Sequence, residues 1–192
     1  VAVIIDTDPS DTGELRYALG DNGPLAAGRV EVKVKRLDDD LGNGDAFITL
    51  FNSKTNNDGA ILDLRIKDDS FGLRSPSDVN TSAATVFLDQ FMNVVITWEY
   101  PNGNLEVNPL VTVEIDGVSF VAEGFTPDNN SVGGVTHVSF RFGDNGGVRE
   151  ATGKFTIDDL VIYSDAAGTT EVFSDDFESY VDGDSLDTDN PV

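Results

Sequence analysis

The chain has 192 residues, with 35 Asp+Glu against 12 Lys+Arg, one His, no Cys and a formal net charge of −23. A charge this negative argues against unaided binding to nucleic acid or an anionic membrane, and it opposes docking on an acidic polysaccharide unless cations bridge the two. Without cysteine there is no disulfide, no thiolate zinc site and no thiol nucleophile, and no run approaches the roughly 18 apolar residues of a membrane span. Hydrophobic residues make up 39% and 12 residues are Phe, enough for a core. The length predicts one domain able to bury roughly 70% of its unfolded surface.

In chain order, the sequence opens on the apolar run Val1-Ala2-Val3-Ile4-Ile5, with no initiating Met or signal peptide, and reads as a processed product or a piece of something longer. Val30 to Lys35 then alternates apolar and charged residues, the pattern of a half-buried strand. Ala46 to Phe51, Ala60 to Ile66, Val94 to Tyr100, Leu110 to Ile115, Val118 to Val121, His137 to Phe142 and Phe155 to Tyr163 repeat it, with β-branched and aromatic residues dominant. Asn57-Asp58-Gly59, Pro101-Asn102-Gly103, Asp116-Gly117 and Asn145-Gly146-Gly147 separate these runs and supply the positive φ of tight turns. No stretch makes a convincing helix, and Ala83 to Phe91 alone has even weak helical spacing. The pattern predicts an all-β protein: an antiparallel β-sandwich, specifically a jelly roll, with its body at 1–163. Residues 164–192 hold nine acids and no base, yet also Val172, Phe173, Phe177 and Tyr180, so one more strand is expected at 173–180.

Three segments together resemble a known family. They are Asn93 to Trp98 followed by Val113-Glu114-Ile115-Asp116-Gly117, then Phe155-Thr156-Ile157-Asp158-Asp159-Leu160-Val161-Ile162-Tyr163, then Phe173-Ser174-Asp175-Asp176-Phe177-Glu178-Ser179-Tyr180 with Gly183. They look like the laminin-G/concanavalin-A-like jelly rolls attached to bacterial, often marine, polysaccharide-degrading enzymes and surface proteins. In that family the Asp-Asp-Phe-Glu-Ser-Tyr strand usually opens the domain, whereas here it stands near the C-terminus. It is therefore expected either to fold back on its own sandwich or to complete a neighbouring copy by donor-strand addition. The resemblance also implies a structural calcium between the opening and closing strands, at positions matching Asp158, Asp159, Asp176 and Glu178. Calcium asks for six to eight hard oxygen ligands at once.

Catalytic patterns are sparse. Glu114-Ile115-Asp116 is similar to the start of a laminarinase-type strand, but Ser119 stands where the second carboxylate belongs, and retaining hydrolysis needs two carboxylates about 5 Å apart. His137 sits in a strand with no nucleophile motif nearby and reads as structural. His137 and Arg141 share a strand face by parity, but Arg65 and Arg74 lie elsewhere in the chain, too little to assemble a lyase site. Sugar recognition calls for exposed aromatic platforms with planar polar partners. Trp98 and Tyr100 share a face; Trp98 has core parity, and Tyr100, beside a turn, is the better candidate for exposure, with Arg74, Arg141 and Tyr17 as polar additions.

These observations lead to a non-enzymatic expectation. The chain reads as a calcium-stabilised, extracellular or cell-surface, glycan-binding module whose partner is a polysaccharide. The alternative is a structural repeat of an extracellular filament or adhesin, in which copies join by exchange of the C-terminal strand.

Overall fold

The computed structural model describes residues 1–6, 13–37, 44–53, 59–67, 69–73, 85–123, 132–143 and 153–180. Among these described residues, twelve strands form two antiparallel sheets. They are β1 (Ala2–Asp6), β2 (Gly13–Ala18), β3 (Ala27–Arg36), β4 (Asp45–Phe51), β5 (Ala60–Ile66), β6 (Phe71–Leu73), β7 (Met92–Glu99), β8 (Leu110–Ile115), β9 (Val118–Glu123), β10 (His137–Gly143), β11 (Gly153–Tyr163) and β12 (Glu171–Asp175). The larger sheet runs β1-β11-β3-β7-β8-β9, with β12 also on β11; the smaller runs β2-β10-β4-β5-β6. The architecture is the β-sandwich expected from the alternation. Residues 85–91, the described part of the stretch with weak helical spacing, form a bridge to Ser70 and a turn, in keeping with the expectation of no convincing helix. The two strands without a sequence prediction, β2 and β6, lie at opposite edges of the smaller sheet.

Strand parity explains the core. Val30, Val32 and Val34 of β3 face inward with Val94, Ile96 and Trp98 of β7 and Val111 and Val113 of β8, and oppose Ile48 and Leu50 of β4, Leu64 of β5 and Phe140 of β10, all essentially without solvent contact. Trp98 donates its indole N–H to the Leu25 carbonyl at 3.3 Å, which satisfies the one polar atom of a ring with no exposure. Its partner across the ladder is Gly28. A Cβ on Gly28 would stand 2.1 Å from Trp98 Cζ2 and 2.7 Å from the Tyr163 carbonyl oxygen, so the ring occupies the volume a side chain would need.

Tyr100 departs from expectation. It lies one residue beyond β7 but keeps the inward parity of Val94, Ile96 and Trp98, and only 1% of it is exposed. Burial pushes its phenol up to about 12, against a backbone hydrogen bond with Gly134. The turn that follows does not pull it outward, because the Tyr100 amide still donates to the Ala26 carbonyl at 2.7 Å.

The outer edge of β11 is shared. β1 pairs with its first half, Ala2 opposite Ile157 through Asp6 opposite Gly153, and β12 with its second, Asp175 opposite Leu160 through Glu171 opposite Tyr163. Between them β11 carries a bulge at Asp158–Val161, with Asp159 at φ 48°. The C-terminal strand therefore spans Glu171–Asp175 and pairs within its own chain. Phe173 stacks on Tyr17 of β2 with centroids 4.5 Å apart, and Phe177, beyond the strand, is buried.

Candidate functional site on the five-stranded sheet

The register of the smaller sheet arranges its outward side chains in rows. One row reads Arg16, Ser139, Thr49, Asp63; the next Glu14, Arg141, Phe47, Arg65, Gly72; and His137 lies opposite Phe51 in a third. An outward sheet face of such residues is expected to be wet, yet Thr49, Ser139, Asp63, Arg65, Phe47 and Phe51 are all buried.

Buried charges must be paired, and these are. Arg141 Nη2 donates to both Asp63 oxygens, at 3.1 and 2.9 Å, while the Thr49 hydroxyl donates to Asp63 Oδ1. Arg65 forms an ion pair with Asp45. Burial pushes the Asp45 carboxyl upward, and Arg65, Lys67 and Arg36 oppose the shift. At the β2 edge, Arg16 Nη2 donates to both Glu14 oxygens at 2.7 and 2.8 Å, and the Ser139 hydroxyl also donates to Glu14. The guanidinium groups also lie over aromatic rings, Arg16 at 5.1 Å from the Phe51 centroid and Arg141 at 4.8 Å from Phe47. The Arg141 Nε is buried and makes no hydrogen bond.

His137 stands at the half-open end of this network. Its Nδ1 lies 2.8 Å from the Thr136 hydroxyl, and a backbone hydrogen bond with Asn52 also holds the ring. Burial, then the positive charge of Arg16, lower its pKa, so the imidazole is neutral at neutral pH. The face thus offers fixed guanidinium donors, carboxylate acceptors and a neutral imidazole across three adjacent rows. That combination can bind the hydroxyl and carboxylate groups of a sugar chain and orient them.

The sequence-predicted residues are scattered. Arg141 belongs to this face. Trp98 and Tyr100 lie in the core and offer no ring to a ligand, a correction that follows from strand parity continuing past the end of β7. Arg74 lies outside the described residues. Asp158 and Glu178 do converge: Val1 N is 3.6 Å from an Asp158 oxygen and 3.8 Å from one of Glu178, and the buried Asp158 Oδ1 accepts no hydrogen bond. Asp159, however, pairs with Lys33, and Asp176 accepts the Glu178 amide at 3.1 Å. Among the described residues no three His, Asp or Glu side chains gather as metal ligands. The four expected calcium ligands are thus brought together in part: Asp158 and Glu178 converge on Val1, while Asp159 and Asp176 are engaged by other partners.

Sequence reading missed Glu14, Arg16, Thr49, Asp63, Arg65 and Ser139 as one group. The available signal was parity: Asp63 and Arg65 alternate with Leu62, Leu64 and Ile66, as Ser139 and Arg141 do with Val138, Phe140 and Phe142.

No protein-family model matches the chain, and no curated protein matches it. Solved structures do. A carbohydrate esterase from the Shiga toxin-encoding bacteriophage phi24B is similar with a TM-score of 0.52 at 14% identity, covering 83% of this chain and 78% of that one. The alginate lyase Aly36B is similar with a TM-score of 0.50 at 12% identity, covering 78% and 80%. A mutant Trypanosoma rangeli sialidase displaying trans-sialidase activity is similar with a TM-score of 0.52 at 13% identity over 73% of this chain; this chain spans 21% of that one. The likeness is one of fold, a β-sandwich jelly roll. All three are carbohydrate-acting enzymes, which overturns the expectation that the chain is not an enzyme. That expectation rested on the lack of a short motif. A site spread across the face of a sheet draws single residues from several strands and leaves no such motif.

Proposed function

We propose that this chain is a carbohydrate-active β-sandwich of the laminin-G/concanavalin-A-like type, extracellular or cell-surface, that acts on a polysaccharide across the outer face of its five-stranded sheet. One observation carries the reading: Arg16, Arg65 and Arg141 are held by carboxylates and aromatic rings on a single face of a chain with net charge −23. Each of these arginines is matched by a carboxylate, so the face is close to neutral against the −23 of the whole chain, and what it offers an anionic glycan is oriented guanidinium donors rather than a positive field. Arg16, Glu14 and His137, at the less buried β2 edge, are the groups a polymer reaches first. The fold of the similar structures supports the reading; the reaction type is left to the assay.

The test is a panel of neutral and uronate-containing polysaccharides, scored both for retarded migration in affinity gels and for new reducing ends. Binding or turnover of one polymer, weakened about tenfold or more by Arg16→Ala, is the expected result. No binding and no turnover across the panel, by a folded protein, would overturn the proposal.

A further inference from the structure

A second feature lies away from this face. At the bulge of β11, an open groove of about 630 Å³ is lined by β11, by β12 and by the turn that follows β12. That is within the usual range for ligand clefts, roughly 300–1,000 Å³. Its lining includes Asp159, Val161, Ser174, Asp176, Ser179 and Tyr180.

The lining is mixed in a way that suits a sugar. Phe173 and Tyr180 give apolar ring surface, the two serines give hydroxyls, and the carboxylates give acceptors. Each carboxylate is oriented by an internal partner. Tyr180 donates to Asp175 Oδ2 at 2.9 Å, the Phe177 amide to Asp175 Oδ1 at 2.8 Å, and the Glu178 amide to Asp176 Oδ1 at 3.1 Å. A carboxylate has about four acceptor positions, so these bonds fix its direction and leave capacity for sugar hydroxyl donors. The wall is also rigid, because Phe173 packs on Tyr17 and Phe177 is buried behind it. Among the described residues no basic side chain lines the groove, although Lys33, outside the lining, pairs with Asp159. An anionic sugar would still meet the Asp175 and Asp176 carboxylates there and be repelled.

We propose that this groove is a second carbohydrate-contact site, selective for uncharged sugar units, distinct in charge preference from the arginine-bearing face. The inference rests on the reading that the chain engages glycans, but on different residues. The experiment is a backbone-amide NMR titration of the whole chain with neutral gluco-, xylo- and manno-oligosaccharides, and in parallel with oligouronates. Neutral oligosaccharides should shift the amides of Val161, Ser174, Ser179 and Tyr180, and oligouronates should leave them in place. Ser179→Trp fills the groove from an exposed position without removing any packing contact; it should weaken neutral-sugar binding at least about tenfold, whereas Arg16→Ala should leave that binding unchanged. A thermal melt identical to that of the parent chain shows that the variant is folded.

Three results would overturn the site: no neutral sugar moving those amides, oligouronates moving them equally, or a folded Ser179→Trp chain binding as before. Oligouronates shifting residues around Arg16 and His137 while no neutral sugar shifts the groove would uphold the first site and remove the second. Neutral sugars shifting the groove while no oligouronate shifts the residues around Arg16 and His137 would do the reverse.

Discussion

The two outward faces of this sandwich carry similar residue types in the same alternation, yet they are physically unlike. On the larger sheet, Lys33 pairs with Asp159 and Arg29 with Glu31 in solvent; the Lys33 and Asp159 side chains are 42% and 48% exposed. On the smaller sheet, Arg65 and Asp45 pair at 8% exposure each, and Asp63, also at 8%, pairs with Arg141 at 14%. A solvated pair contributes about 0–1 kcal/mol. A desolvated pair yields little net stability, but losing one partner leaves a buried charge at a cost of about 3–5 kcal/mol. The lesson is that period-two alternation identifies an outward face but does not say whether water reaches it.

The sharpest way to break this comparison is to cut one pair on each face. Asp63→Ala strands Arg141 and should cost about 3–5 kcal/mol by chemical denaturation, while Lys33→Ala should cost under about 1 kcal/mol. Equal losses would mean that the two faces are equally wet. Next in size is Gly28→Ala, in the core that both faces share. The new Cβ would meet the Trp98 ring and the Tyr163 carbonyl, and overpacking of this kind costs about 1–3 kcal/mol or more. A neutral outcome would show that the Trp98 ring has room to move.

The pH predictions are smaller. Tyr100 ionises near 10 in the unfolded chain and at about 12 in the fold. The unfolded state therefore loses its proton first, and stability is full below pH 10 and falls as pH rises from there towards 12. Phenolate absorbance should follow the loss of tertiary circular dichroism, and Tyr100→Phe should flatten that part of the profile. His137 has the opposite sign. Its folded pKa is below the ordinary 6.5 of a free imidazole, so the unfolded state takes up the proton first, and stability falls as pH drops below 6.5. A denaturation series on His137→Gln should be flatter in that window. An unchanged slope would mean that neither Arg16 nor burial acts on the imidazole.

Much of the fold was legible because both sheets obey period two. Val30 to Lys35, Ala60 to Ile66 and Phe155 to Tyr163 all became strands close to their predicted limits. The short edge strands escaped. β6 is three residues long, and β2, Gly-Glu-Leu-Arg-Tyr-Ala, has only two large apolar side chains to announce it. The site was less legible than the fold. Asp63 and Arg65 carry the same sequence signature as Glu31 and Lys33, and only the assembled sandwich separates buried from solvated. Tyr100 was misjudged for a related reason: the turn that follows suggests exposure, whereas side-chain direction is set by the strand that precedes it.

The arrangement of β1 and β12 on one edge of β11 has a mechanical consequence. β12 runs towards Leu160 and β1 starts at Ile157, both antiparallel to β11, so together they form a single edge strand with a nick beside Val1 and Glu178. A pull at the nick directed away from β11 meets one ladder bond at a time on each side and peels the two halves off like a zipper. An unbroken strand offers no free end there, so the same pull would have to break bonds on both sides of the point of attachment together. This edge should therefore be the first part of the sandwich to yield under force, with the arginine-bearing face, on the other sheet, still assembled when it does.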